Sequence, residues 1–280
     1  LTQYAAFAGA SLTEGDNFLH VWKGFSRRNR AGNLEELAQT VVERLRRGRT
    51  NVPLAPGTYP VIFAPQALPD LLRPFIASTS GEAVVKKVSP WRERRGEQVL
   101  SEEVTLIDDG TLAWGAETRP FDDEGVPQQY TPLVEKGVLR HFYLDLKSAS
   151  ELDLAPTGNA RRSGLGATPS PAPTNIVMAP GTVPLEEVIA DIREGVLAYG
   201  LMGAWAGNPY GGEVSGNIAY GLKIENGQLV GRIKDCVFSL NSFTAFHTGI
   251  AAVTREREWG RSSLLPYVCL KDVAISTQGR

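Results

Sequence analysis

The sequence predicts an α+β protein: a small α/β segment at the N-terminus, then a mostly antiparallel, sheet- or barrel-like β region with a few helices. Three observations predict it. Asn226-Gly227 stands between two strand-like runs, 218–225 and 228–233, the strongest short-range hairpin signal a sequence offers. Lys136-Gly137 separates Leu133–Glu135 from Val138–His141 in the same manner. Helical spacing is confined to a few stretches, and most segments beyond Glu97 are short and β-like.

From the N-terminus, Ala5–Leu12 and Phe18–Phe25 read as two strands around the turn residues Glu14, Gly15 and Asp16. Asn33 then reads as an N-cap, with Glu36 three residues on in the capping-box place. Leu34, Leu37, Ala38, Val41, Val42 and Leu45 follow at helical spacing, and Gly48 ends the helix. Asn51–Tyr59 holds two prolines and a glycine and reads as a linker, so the expected division is 1–58 and 59–280. Past it, Val61–Ala64 forms a short buried strand, and Leu68, Leu71, Leu72, Phe75 and Ile76 mark a helix running on from Pro65. Two helices are expected within the β-rich half. One lies near Asp145–Leu152; the other spans Leu185–Leu197, with Val188, Ile189, Ile192 and Val196 on one face. Cys236–Leu240 and Tyr267–Ile275 add strands, and 164–173, rich in Pro and Ser, reads as a loop.

Composition bounds the function. The 280 residues suffice for one large domain or two ordinary ones. With 29 basic and 31 acidic side chains the net charge is -2, so no global basic field favours nucleic acid. No apolar run approaches the roughly 20 residues that span a bilayer. Leu1 is not a Met, so the sequence is expected to be a piece of something longer, and LTQYAAFAGA lacks the basic start and apolar core of a signal peptide. Cys236 and Cys269 lie far apart in apolar, strand-like runs, which predicts two buried reduced thiols and a cytoplasmic protein.

Several motifs invite a site. Asp108-Asp109-Gly110 and Asp122-Asp123-Glu124-Gly125 offer oxygen ligands to a hard cation. EF-hand spacing is absent, and Asp before Gly is common in turns, so hydrogen-bonding turn roles are favoured over a metal site. Gly158-Asn159-Ala160-Arg161-Arg162 reads either as an anion-binding turn or as a bland turn with solvated arginines, and both stay open. The runs Arg44, Arg46, Arg47, Arg49 and Arg92, Arg94, Arg95 read as solvated faces, the first complementing a helix C-terminus. His20, His141 and His247 are dispersed, with no zinc-like spacing to the cysteines. Composition and spacing by themselves predict no catalytic residue, no metal and no cofactor.

Taken in order, YPVIFAPQALPDLL, GEQVLSEEVTLIDDGTL, PFDDEGVP, VEKGVLRHFYLD, TGNARR, PTNIVM, GVLAYGLMG, GLKIENGQL and the closing apolar strand resemble the TldD/PmbA family. These are the microcin-processing peptidases also termed modulators of DNA gyrase, and the resemblance runs from about Tyr59 to Ser276. It implies that 1–58 is the tail of a larger N-terminal domain and 59–280 the family's C-terminal domain. The metal-bearing branch is known for a His-Glu-x-x-x-His helix and a cysteine near the C-terminus, which hold zinc for peptide hydrolysis. In this sequence Arg73, Pro74 and Ser78 are expected in those helix positions, and GRSSLL, 260–265, where the cysteine would fall. A guanidinium cannot ligate a cation, and proline carries no base. The resemblance therefore points to the PmbA (TldE) branch, which lacks the metal motif. It implies a non-catalytic subunit that pairs with a TldD-like metallopeptidase, or with itself, around unfolded peptide, with no nucleic acid, membrane or cofactor. Asp122, Asp123, Glu124, Gly158, Asn159, Arg161 and Arg162 are the expected cleft residues, contacting extended peptide through β-addition. Two alternatives stand beside it: a hydrolase using Asp122, Asp123, Glu124 and His141, and a protein-binding regulatory module.

Overall fold

The computed structural model describes residues 2–15, 17–29 and 33–277. β1 (Tyr4–Glu14) and β2 (Asn17–Arg27) form an antiparallel hairpin that is a sheet of its own, Glu14 opposite Asn17. Asp16, expected in the turn, lies outside the described residues. α1 (Leu34–Gly48) is capped by Asn33, whose side chain accepts from the Glu35 and Glu36 amides at 3.1 and 3.2 Å.

The next strand begins earlier than the sequence suggests. β3 (Gly57–Phe63) takes in the last third of the expected linker and lies between two neighbours. Pro60 is tolerated there because the ladder is irregular at that point, its register shifting between Leu270 and Val273 of the partner strand. α2 (Leu68–Ser78) and α3 (Gly81–Val85) follow, then β4 (Leu106–Asp109), β5 (Tyr130–Glu135) and β6 (Val138–Leu139). α4 (Leu146–Leu152) sits where a helix was expected, with a capping box between Asp145 and Ser148. β7 (Ala160–Arg161) and β8 (Ser170–Pro171) make a small separate ribbon, so the 164–173 segment is not all loop. β9 (Ile176–Met178), α5 (Leu185–Ala190) and β10 (Glu194–Met202) come next. The expected helix over Leu185–Leu197 is thus corrected to one short helix and one long strand. Val188 and Ile192 do share a face, packing on Leu197, but Val196 and Ala198 turn to the opposite cluster, as alternate residues of a strand must.

β11 (Glu213–Glu225), β12 (Gln228–Ile233), β13 (Cys236–Asn241), α6 (Ser242–Thr248), β14 (Ile250–Trp259) and β15 (Ser263–Thr277) complete the chain. The β11–β12 turn is Asn226-Gly227, with positive φ at both residues (49° and 76°), the geometry that Asn-Gly favours. Pairings β11–β10, β10–β3, β3–β15, β15–β13 and β13–β11 close a five-strand ring. From it β12 extends on one side and β9, β4, β5 and β6 on the other, and β14 pairs with β15, giving one 11-stranded sheet among the described residues. The α+β class and barrel-like closure are as expected.

Alternation along the ring strands divides the apolar side chains. Val61, Phe63, Val196, Ala198, Val268 and Leu270 join the main core, and Ile62, Leu197 and Cys269 the outer cluster under α5. At one end α2 adds Phe75, stacked on Trp91 at 5.6 Å between centroids and edge-on to Phe246 at 5.1 Å. A third cluster, Leu19, Val21, Val41, Tyr220 and Leu222, joins the hairpin and α1 to the barrel wall. Among the described residues no helix is long and apolar enough to cross a membrane.

Two buried arginines complete that junction. Arg44, expected on a solvated face, is only 5% exposed. Its Nη1 donates to Trp22 O at 3.0 Å and Gln66 Oε1 at 3.1 Å, and its guanidinium lies 4.3 Å from the Tyr199 ring centroid. Arg232 of β12 donates to Phe18 O and Asn51 Oδ1, each at 3.0 Å, and to Asn17 Oδ1. The helical spacing placed Arg44 with its exposed neighbours, but its long stem reaches under the hairpin. Replacing it removes the donor that Trp22 O and Gln66 Oε1 share. Arg44→Met is expected to lower unfolding free energy by about 2 kcal/mol in urea titrations. Arg47→Met, which breaks only an exposed ion pair to Glu43, is expected to change it by about 0.5 kcal/mol or less.

Candidate functional site

α2 presents two faces. Leu68, Leu71, Phe75 and Ser78 are fully buried. Ser78 Oγ donates to Pro74 O at 2.7 Å, and Ser78 O accepts from Ser89 Oγ at 2.6 Å. Arg73 is exposed, and its Nη1 donates to Trp205 O and to Gly207 O, the latter at 3.2 Å, tying α2 to the loop after β10. Arg73, Pro74 and Ser78 thus have satisfied structural roles and face no common space.

The other face of α2 looks into a cavity of about 840 Å³ between the hairpin and the barrel. Pro65, Gln66, Pro69, Leu72 and Ile76 form one wall. Ala5, Ala6, Phe7, Trp22 and Phe25 of the hairpin form another. The β14–β15 turn, 259–263, closes one end. Within that wall Glu258 pairs with Lys23 at 3.0 Å and accepts from Tyr267 Oη at 2.7 Å. The GRSSLL segment, expected to stand where the family cysteine falls, therefore does meet α2. It borders the same cavity as Pro65, Gln66 and Pro69, which Arg73, Pro74 and Ser78 do not line.

That donor set does not fit zinc. The lining holds prolines, two carboxamides, apolar side chains, serines, Lys23, Arg261 and a single carboxylate, Glu258, which Lys23 and Tyr267 already engage, with no imidazole or thiolate. Among the described residues no group of three or more His, Cys, Asp and Glu could hold a metal ion. Cys269 points into the outer apolar cluster, where burial pushes its thiol up to about 12. Burial, with Asp235 nearby, likewise pushes Cys236 up to about 11. Both thiols are free, and a metal ligand must be the thiolate, which their settings disfavour.

The acidic motifs converge elsewhere, into one hydrogen-bonded frame. Asp122 is 5% exposed; Oδ1 accepts from the Glu124 and Val126 amides and Oδ2 from the Ala160 amide, all at 2.9 Å. Asp123 Oδ2 accepts from the Arg162 amide at 2.8 Å, and Glu124 Oε2 from the Leu146 amide at the start of α4, also at 2.8 Å. Asn159 donates to Ala172 O at 3.0 Å and to Asp108 Oδ2. Asp108 Oδ1 accepts from Thr174 N and Oγ1 at 2.6 and 2.8 Å. Asp109 Oδ1 accepts from Thr111 N and Oγ1 at 2.9 and 2.7 Å, a local turn of the kind that Asp before Gly favours. Gly158, at φ 73°, sits where an added Cβ would lie 2.3 Å from Pro127 O. Arg161 and Arg162 remain at the frame's surface, Arg161 Nη1 donating to Glu117 Oε2 at 2.7 Å. None of the seven expected cleft residues lines the cavity beside α2.

His141 stands apart, exposed at the end of β6. Burial of part of its ring, then Arg95 and Arg140, lower its pKa. No hydrogen bond among the described residues joins its ring to Asp122, Asp123 or Glu124. The hydrolase grouping suggested by sequence proximity is therefore not assembled. Lys23, Glu258 and Trp259, which border the cavity, carry no motif, and only the hairpin's fold back onto α2 brings them beside Gln66.

Residues 56–277 match the family described as PmbA/TldA metallopeptidase C-terminal domain. The chain belongs to this family. An uncharacterized protein of Methanocaldococcus jannaschii is 34% identical over 191 residues, 68% of this chain and 44% of that protein. A metalloprotease of the same organism is 31% identical over 189 residues, 67% of this chain and 41% of that protein. TldE from Thermococcus kodakarensis shares the fold at a TM-score of 0.89 and 25% identity, over 97% of this chain and 63% of that one. A Thermotoga maritima structure named for modulation of a DNA gyrase gives 0.86 at 29% identity, over 97% and 62%. This PmbA/TldA chain spans less than half the length of those curated relatives and under two thirds of those solved ones.

Two outcomes follow from the frame. Burial raises the Asp108 carboxyl to about 6 against the hydrogen bonds from Thr174 and Asn159, with Asp109 adding to the rise. A carboxyl raised on folding stabilises fully below its unfolded value near 3.8, and that stability is lost as pH climbs through about 6. Asp108→Asn removes this titration but turns an amide NH2 toward a donor, at about 1–3 kcal/mol. Urea midpoints should show the unsubstituted protein losing stability relative to the variant between about pH 4 and about pH 7. Second, Gly158→Ala should cost at least about 2 kcal/mol through φ and the Pro127 clash, whereas Gly164→Ala, with open space around it, should change thermal stability little.

Proposed function

We propose that this chain is a PmbA/TldE-like, non-hydrolytic member of the family that holds extended, unfolded peptide for cleavage by a TldD-like metallopeptidase subunit. One observation carries this: the α2 face and the 259–263 turn meet across an apolar cavity with no ligand set for zinc. The cavity also suits peptide. β1 pairs only with β2 among the described strands, so its outer edge has backbone groups to offer. Ala5, Ala6 and Phe7 border the cavity on that strand, and an added strand gains main-chain hydrogen bonds without sequence preference. The cleft is thus assigned to the hairpin side of α2, with Asp122, Asp123, Glu124, Gly158 and Asn159 as its supporting frame. A homodimer is the other arrangement in which two such clefts face each other. Two buried free thiols accord with a cytoplasmic setting.

The test is metal analysis with a peptide-cleavage assay on the purified protein, with and without the TldD-like subunit of the same cell. The expected result is zinc well below stoichiometry, no chelator-sensitive cleavage alone, and cleavage with the partner. About one zinc per chain with chelator-sensitive cleavage by the isolated protein overturns the proposal.

A further inference from the structure

β2 leaves the cavity at Ser26, and two residues on, roughly 7 Å along a strand, Arg28 stands among like charges. Its neighbours are Arg119 and Arg161, with Glu117 between them. Arg28 is anchored by its Nε, which donates to Gly115 O at 3.1 Å. Burial lowers its pKa, and the charges of Arg119 and Arg161 lower it further against Glu117. The same corner adjoins the cavity floor. Ile176 lines the cavity, and the preceding Asn175 accepts the Glu117 amide at 3.0 Å, fixing the loop that carries Glu117 and Arg119.

The three guanidiniums are not equally engaged. Arg161 Nη1 holds Glu117 Oε2 at 2.7 Å. Arg119 has no such close partner. Its Nη2 lies 3.8 Å from the same Glu117 oxygen and its Nη1 3.7 Å from Asp123 Oδ1, both beyond hydrogen-bond length. Its Nε is buried without a partner. Asp123 is held at that distance by its other oxygen, which accepts the Arg162 amide. The Arg119 backbone is meanwhile fixed, its amide donating to Gln128 Oε1 at 2.6 Å. A rigid fork with unused donors, in a half-buried corner beside two further arginines, is the arrangement that recognises a planar anion bidentately.

We propose that Arg28, Arg119 and Arg161 form a carboxylate-binding subsite at the end of the cavity, which anchors a peptide by its C-terminal carboxylate or by an acidic side chain. This rests on the peptide-holding role above and adds a direction to it: apolar segment against the hairpin and α2, negative end at the arginines. Glu117 keeps the empty cluster from repelling itself and sets the spacing of Arg161.

The test uses the full chain and one uncharged, β-prone heptapeptide carrying a neutral BODIPY label, in three forms. The first has a free C-terminal carboxylate, the second a C-terminal amide, and the third an amide preceded by Glu. Anisotropy titrations should show either or both carboxylate forms binding at least about tenfold more tightly than the plain amide. A gain in the first alone identifies the chain terminus as the source, and in the third alone the side chain. Arg119→Gln should erase the gain while leaving affinity for the plain amide unchanged, which also shows that the variant folds, and Arg119→Lys should restore part of it. Equal binding of all three forms by the unsubstituted protein overturns the subsite and leaves the peptide-holding role standing. Binding of none of them overturns both.

Discussion

The whole architecture hangs on β15. Within fifteen residues it pairs with β9 at its start, β14 and β3 along its middle and β13 at its end. The last of these contacts, Cys236–Ser239 against Ala274–Thr277, closes the ring. Closure removes two open edges at once, so each ring strand has a hydrogen-bonding neighbour on both sides. It also sends alternate side chains of β15 into different cores: Val268 and Leu270 inward, Tyr267 and Cys269 outward. The turn that enters β15 is the one that caps the cavity, so the position of that rim is set by the most heavily paired strand in the molecule.

Around this ring the polar motifs work as joinery. TLIDDGTL, PFDDEGVP, TGNARR and PTN come from separated stretches, yet their side chains bond repeatedly to one another's backbone and side chains. The Asp122 carboxylate spans 38 residues to reach the Ala160 amide, and Asp108 spans 66 to reach Thr174. Such loops carry many backbone groups that no ladder can satisfy, and buried carboxylates and carboxamides supply the missing acceptors and donors. Burying an Asp for this purpose costs solvation, and the raised Asp108 carboxyl is the trace of that cost.

Local chemistry was legible in the sequence; distant contact was not. The Asn33 cap, the Asn226-Gly227 hairpin, the Asp145–Leu152 helix and the α+β class all depend on neighbours in the chain. Val188, Ile189, Ile192 and Val196 fit a helix equally well, and only the slot between β3 and β11 decides that Val196 belongs to a strand. Arg44 looked solvated because nothing nearby in sequence announces the hairpin lying over it. The cavity was invisible for the same reason, since its walls come from residues near 6, 22, 66 and 260. Arg73, Pro74 and Ser78 lack the donors for a metal, but they also lie off the face of α2 that meets the turn.

The two faces of α2 separate duties that are often entangled in enzymes. Leu68, Leu71 and Phe75 hold the helix in the core, while Pro69 is exposed toward the cavity and Ile76 is only partly buried there. Substitutions at an exposed cavity-side position such as Pro69 are therefore separable from the core, whereas Leu72 and Gln66 serve the cavity and the fold together. A lineage can erase or rewrite its chemistry at such exposed positions one residue at a time, without passing through an unstable ancestor.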